Sequence, residues 1–386
     1  MKSMFKLASA AAALLLAFGL SSAQAADIRV GAAEALTGGA AQYGNNIRNG
    51  LQLAADEINA AGGINGNKLV LMIEDDQTKK EEAINVFRKL IFQDKVLIVF
   101  GPTLSNGALA SHPIAQAAKT VALATSNTVD GITDPGNYIF RTSVTESSVI
   151  PVTLKVAHEK LGFKKVAVIY GNNDALSKGG YDVFKKALED QHIAVTTTET
   201  FATGDVDFKA QLTTIKGTNP DAVVLSALIA EAGPIVAQAR QLGIDLPFIC
   251  GNGLNNPKIF ELAPGTASDN IWVGGPWSLI NPTPENSKFV AAYKARYNTN
   301  PDQFAAQAYD GMYIAAAAMK KVKFTGDLAA DRAALRDALT TVQWTGATGP
   351  LKFVQIRNKQ GQLAGYDPVQ TPIISVTKGG KYNIVH

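Results

Sequence analysis

Hydroxyl and amide side chains recur in this sequence where apolar runs end. The run Val96–Phe100 gives way to Gly101-Pro102-Thr103-Leu104-Ser105-Asn106-Gly107, and a helix-like stretch, ALASHPIAQAA, follows. The next apolar run, Val121–Thr125, ends in Ser126-Asn127-Thr128. If these runs are neighbouring parallel strands, Ser105, Ser126 and Thr128 face one crevice, because open α/β sheets take small molecules beyond the carboxyl ends of their strands. Ser105 stands where an N-cap belongs. It either caps that helix or, with the free N–H groups beyond it, holds an anion. Hydroxyls and backbone amides can hold a carboxylate without a counter-charge, through charge-assisted hydrogen bonds. Tyr43 follows the strand candidate Ile28–Ala32 within the loop TGGAAQYG, as a lid over a solute or as a shield for the sheet edge.

Other chemistry finds no footing. The four histidines, His112, His158, His192 and His386, show no H-E-x-x-H or H-x-E spacing, and Cys250 is the only cysteine. A Cys/His zinc site and an intramolecular disulfide are therefore excluded. The nucleophile-elbow, dinucleotide and P-loop patterns are absent. Glu74-Asp75-Asp76 is the densest carboxylate cluster, and it reads as a solvated loop capping the next helix rather than a metal site. The expectation is a binding protein without catalysis, metal or cofactor.

The elements that must position these residues alternate along the chain. Strand candidates are Ile28–Ala32, Leu69–Ile73, Val96–Phe100, Val121–Ala124, Val166–Tyr170, Ile193–Thr198, Ala222–Leu225, Pro247–Cys250 and Ile271–Val273. Between the first two, Ile47, Leu51, Ala54 and Ile58 fall at helical spacing, and Gly62-Gly63 stops the helix. Such alternation predicts parallel sheets with helices on both faces. The pattern restarts after Arg141: another strand, Val166–Tyr170, ends in the polar loop NNDALSKGG, with a helix from about Tyr181. Two similar lobes are expected. Pro284–Tyr297, Gln303–Val322 and Leu328–Leu339 read as three helices, with short strands near Leu351–Val354 and Pro372–Val376.

Residues 1–25 read as a signal peptide: Lys2 and Lys6, an apolar stretch Leu7–Leu20, then the A-x-A site Ala23-Gln24-Ala25. Their removal takes two of the 36 basic residues and none of the 33 acidic ones, leaving a net charge of +1. That argues against nucleic-acid binding, which wants a strong basic excess. The length exceeds one typical core, so two domains are the default. An exported, periplasmic monomer is expected, cleaved after Ala25.

The segments TGGAAQYG, LAADEINAAGGINGNKL, VFGPTLS and VAQARQLG, in this order, resemble the leucine/isoleucine/valine-binding protein family of type I periplasmic solute receptors. The resemblance implies two doubly wound parallel-sheet α/β lobes joined by three crossing segments, near Thr142, Gly274 and Asn358. Lobe 1 would hold residues 26–142 and 275–357, and lobe 2 residues 143–274 and 358–386. It also implies solute capture for an ABC importer, with a membrane permease as partner. By the same resemblance Ser105 and Thr128 bind the ligand carboxylate, groups near Ser126 and Asn127 help, and Tyr43 packs over the ligand.

The second lobe departs from the amino-acid-binding members. Leu176 and Leu228 stand where that resemblance expects tyrosines, and Asn252 where it expects the glutamate that pairs with an α-ammonium. Burying an ammonium without its partner costs several kcal/mol, most of the roughly 8 kcal/mol of a micromolar binder. Unless Asp174 takes over the ammonium, the pattern implies a small apolar or aromatic monocarboxylate. Phe304 would add a second aromatic wall or serve a helix core. The alternatives are a branched-chain or hydrophobic amino acid as ligand, or a ligand sensor not coupled to transport.

Overall fold

The computed structural model describes residues 27–386, so the signal-peptide reading of 1–25 lies outside the described residues. Two mixed, mostly parallel sheets form, each clad with helices. In the first lobe the strands are β1 (Ile28–Glu34), β2 (Leu69–Asp75), β3 (Ile98–Phe100), β4 (Val121–Ala124) and β5 (Ile139–Arg141). The second lobe has β6 (Lys165–Gly171), β7 (Ala194–Phe201), β8 (Ala222–Ser226), β9 (Phe248–Cys250) and β10 (Ile271–Gly275). The chain ends in β11 (Gln343–Gly346), β12 (Gly349–Arg357), β13 (Leu363–Val369), β14 (Ile373–Lys378) and β15 (Lys381–Ile384). Sheet orders are β11-β12-β13-β5-β4-β3-β1-β2 and β15-β14-β10-β9-β8-β6-β7.

Each sheet repeats one parallel core order. In β2-β1-β3-β4-β5 the strand order reverses between β1 and β3, and in β7-β6-β8-β9-β10 between β6 and β8. Ligands of such sheets bind at that reversal, beyond the strands' carboxyl ends. The loops after β1 and β3 in one lobe, and after β6 and β8 in the other, are thus the ones aimed at the interlobe cleft.

The main helices are α1 (Ala41–Ala60), α2 (Lys80–Arg88), α3 (Ser105–Ala117), α4 (Glu146–Leu161), α5 (Ala175–Asp190), α6 (Lys209–Gly217), α7 (Ile229–Gln241), α8 (Ile259–Leu262), α9 (Pro284–Tyr297), α10 (Gln303–Met319) and α11 (Leu328–Leu339). In α1, Ile47, Leu51, Ala54 and Ile58 are buried, and each large one contributes about 1.5–3 kcal/mol. The helix stops where expected: Gly62 and Gly63 take positive φ, and Gly63 N–H bonds the Ile58 carbonyl at 2.9 Å. The alanine-rich α10 lies against α1, backbone close to backbone. A Cβ at Gly50 would come within 2.2 Å of the Ala305 carbonyl oxygen.

Three sequence expectations need correction. Helix α5 begins at Ala175, not near Tyr181, because the Asp174 side chain caps it by accepting the Ser177 N–H. The third crossing falls between Val369 and Ile373, not near Asn358. β13 pairs with β12 and β5 in the first sheet, tied by Arg141 to Asp367 at 2.5 Å, so residues 363–369 belong to lobe 1. The Glu74–Asp76 cluster does not cap α2, whose N-cap position is Lys79 with no side-chain cap bond. Asp75 instead accepts the N–H groups of Leu36, Thr37 and Gln77 and so pins the loop after β1.

Candidate functional site

A small cavity lies between the lobes, lined by Tyr43, Thr103, Leu104, Ser105, Ser126, Leu176, Leu228, Gly253 and Phe304. Its position follows from the topology: these residues come from the ends of β3, β4, β6, β8 and β9, with Tyr43 from α1 and Phe304 from α10. Its volume is about 20 Å3, little more than one water needs. The lobes are closed on each other.

The lobe 1 wall carries the polar groups. Ser105 is the first residue of α3 rather than its cap, because Leu104 occupies the N-cap position without a side-chain bond. Its buried Oγ has no hydrogen-bond partner. Ser126 Oγ donates to the Thr103 carbonyl at 2.7 Å, and Asn127 Nδ2 joins it at 3.2 Å. Arg141 and Ser143 in turn donate to the Asn127 carbonyl, so the β4 loop is braced from behind.

The lobe 2 wall is apolar. Leu176 and Leu228 are 8% and 5% exposed, beside the Gly253 main chain. Tyr43 closes one side with its ring edge against Phe304, centroids 4.7 Å apart. Its hydroxyl donates to the Gly253 carbonyl at 2.9 Å and accepts the Ile229 N–H at 2.6 Å, so it joins lobe 1 to lobe 2. Burial holds the Tyr43 phenol well above its usual pKa, so it stays protonated. Further bonds cross nearby: Ala175 N–H to Asn106 Oδ1 at 2.9 Å, and Gln303 Nε2 to Asn252 Oδ1 at 2.6 Å.

The structure thus brings Tyr43, Ser105, Ser126, Leu176, Leu228 and Phe304 to one cavity. It places Asn127, Thr128 and Asn252 behind the wall, all buried. Thr128 Oγ1 donates to Glu146 Oε1 at 3.1 Å, and the Asn252 N–H reaches the same oxygen at 3.3 Å. Glu146, at the start of α4, is therefore a buried acid bonded to both lobes, and burial raises its pKa to about 7. The sequence reading missed Glu146 as well as Thr103, Leu104 and Gly253. Thr103 was within reach, since it precedes Ser105 in the same loop, but nothing local in TSVTESS marks its glutamate as buried. Among the described residues no group of three or more His, Cys, Asp or Glu could hold a metal ion, and no helix is long and apolar enough to cross a membrane.

Comparison with known proteins follows the same lines. A sequence model of the periplasmic binding protein family matches residues 27–366. The leucine-, isoleucine-, valine-, threonine- and alanine-binding protein of Pseudomonas aeruginosa is 30% identical, over 92% of each chain. The branched-chain amino acid transporter substrate-binding protein LivJ of Streptococcus pneumoniae, solved with isoleucine, is 31% identical with a TM-score of 0.82, covering 93% of this chain and 99% of that one. An ABC transporter solute-binding protein of R. palustris, solved with benzoate, superposes with a TM-score of 0.81 over 93% of this chain and 95% of its own. At 24% identity that likeness speaks to the fold alone.

Proposed function

This chain belongs to the periplasmic binding protein family, and from that premise we propose that it is the solute receptor of an ABC importer, selecting a small apolar or aromatic monocarboxylate. One observation carries the ligand class. The cavity is lined by the hydroxyl-bearing residues Tyr43, Thr103, Ser105 and Ser126 and by no acidic or basic side chain. Ser105 Oγ, buried and unpartnered, is the donor best placed for a carboxylate, with the first N–H groups of α3 beside it. Tyr43, Phe304, Leu176 and Leu228 would enclose a flat or branched apolar body. An ammonium against those leucines would lose its hydration without a counter-charge.

Capture works by closure. The solute enters between separated lobes and favours the closed form by the contacts it makes only there. The closed form then engages a membrane permease. Export with cleavage after Ala25 belongs to this reading, and intact mass of the periplasmic protein should start at Ala26.

A second reading, a branched-chain amino acid, has its own support. Glu146 lies behind the wall with its carboxyl on Thr128, and the relatives of about 30% identity are named for such ligands. Thermal melts decide between them. Ligand at 100 times its dissociation constant adds about 2.7 kcal/mol of stability. Benzoate, 4-hydroxybenzoate, coumarate and phenylpyruvate are compared with leucine, isoleucine, valine and phenylalanine. Stabilisation by leucine or valine with no response to the desamino acids would overturn the monocarboxylate reading.

A further inference from the structure

Glu34 closes β1 and is wholly buried, yet solute capture as described leaves it without a task. One of its oxygens, Oε1, has no hydrogen-bond partner, and Oε2 lies 2.6 Å from Thr103 Oγ1. Thr103 is a cavity residue. Its Oγ1 also accepts the Ala35 N–H at 2.9 Å, and its carbonyl takes the bonds from Ser126 and Asn127. Whatever fixes Thr103 therefore fixes the donor wall.

No cation faces Glu34 among its described partners. The charge acting on it is Asp76, itself buried, and it only adds repulsion. His112 lies beyond Gly101, its ring nitrogens 3.1 Å from the Gly101 and Ile132 carbonyls, so both are engaged there and neither bonds Glu34. Burial and Asp76 push the Glu34 carboxyl well above its usual range against the opposing hydrogen bond from Thr103. Were it ionised, one charged oxygen would sit buried and unpartnered beside a second acid. As a neutral acid it leaves only a carbonyl oxygen there, which costs far less.

We propose that Glu34 is a positioning residue for carboxylate recognition: as a neutral acid it donates its proton to Thr103 Oγ1, which turns the Thr103 hydroxyl proton toward the cavity as a donor to the ligand. Thr103 Oγ1 then accepts from Glu34 and Ala35 and has only its own proton left to give. Ionised, Glu34 would claim that proton for itself and withdraw the donor. The proposal rests on the carboxylate reading of the cavity, though not on the desamino one.

The test titrates the mature protein and its Glu34→Gln, Glu34→Leu and Thr103→Val variants with benzoate and with leucine across the acid-to-alkaline range in which each stays folded. A glutamine amide can also donate to Thr103 Oγ1. Glu34→Gln should therefore keep wild-type affinity at the acid end and escape the weakening that the wild type shows at the alkaline end. Glu34→Leu and Thr103→Val should each bind at least tenfold more weakly throughout. Superimposed alkaline limbs for wild type and Glu34→Gln, or wild-type affinity in Glu34→Leu, would overturn the proposal. Binding of leucine alone would defeat the desamino reading yet leave this test intact, because leucine presents the same carboxylate. A second readout needs no ligand. The infrared difference between wild type and Glu34→Gln at neutral pH should contain a protonated-carboxyl band, and its absence overturns the proposal.

Discussion

Ser105 and Thr128 look alike in the sequence, a hydroxyl after a strand, but the structure gives them different work. Ser105 Oγ bonds to nothing in the protein and caps nothing. Ser105→Ala should weaken binding of a carboxylate by about 1–3 kcal/mol, the value of a hydrogen bond to a charged group, and leave stability unchanged. Calorimetry with the best ligand of the melt screen checks the first half, and urea denaturation the second. Unchanged affinity would mean that the carboxylate sits elsewhere. Thr128 is the reverse case. It lies behind the wall and satisfies a buried Glu146 oxygen. Thr128→Ala should cost about 1–2 kcal/mol of folding stability by stripping that acid of a donor, with a smaller effect on affinity. If denaturation shows no loss, the Glu146 contact carries no weight in the fold.

Helices α1 and α10 carry the two rings that meet at the cavity, Tyr43 and Phe304, so their separation sets the aperture. Gly50 permits the contact, since a methyl there would collide with the Ala305 carbonyl at 2.2 Å. Gly50→Ala should therefore destabilise by about 1–3 kcal/mol and weaken ligand binding too, because the helices must part. A melting point equal to wild type would show that the pair slides without cost. The same scale explains what was legible beforehand. Helix α1 could be read because Ile47, Leu51, Ala54 and Ile58 repeat at the helical period, and the parallel strands because they are short apolar runs before polar loops. The start of α5 could not, since SKGG mimics a loop. Gly180 is small for a tertiary reason, as its Cβ would meet Ser226 Oγ at 2.4 Å. Strand β13 hid likewise behind Gly365 and Pro368; a Cβ at Gly365 would strike the Ile139 carbonyl at 2.3 Å. Glu34 was invisible because it lies past the apolar run that marks the first strand, and only the packed sheet shows that β1 carries it inside.

At the scale of the whole molecule, stability depends on buried acids that prefer to be neutral, and closure on one phenol. Burial raises Asp76 and Asp302 to about 6 and Glu146 to about 7. A carboxyl whose pKa is raised on folding stabilises fully below its unfolded value, near 4, and that contribution is lost as pH rises through the folded value. The melting temperature should therefore fall between about pH 5 and 7.5, and Glu146→Gln should flatten part of that slope. A slope equal to wild type would remove Glu146 from the account. Tyr43 bears on closure itself. Tyr43→Phe keeps the ring and its contact with Phe304 but deletes both bonds to lobe 2, leaving the Gly253 carbonyl and Ile229 N–H buried without partners whenever the lobes close. Each such group costs about 1–3 kcal/mol, whereas open lobes expose both to water. The substitution thus taxes only the closed form. Ligand affinity scales with the fraction of molecules able to close, so a shift of about 1.4 kcal/mol appears as a tenfold loss. Small-angle scattering without ligand should show a larger radius of gyration for Tyr43→Phe, and saturating ligand should restore the wild-type value. Equal radii together with equal affinities would mean that Tyr43 serves only as a cover for the cavity and that the other cross-lobe bonds hold it shut.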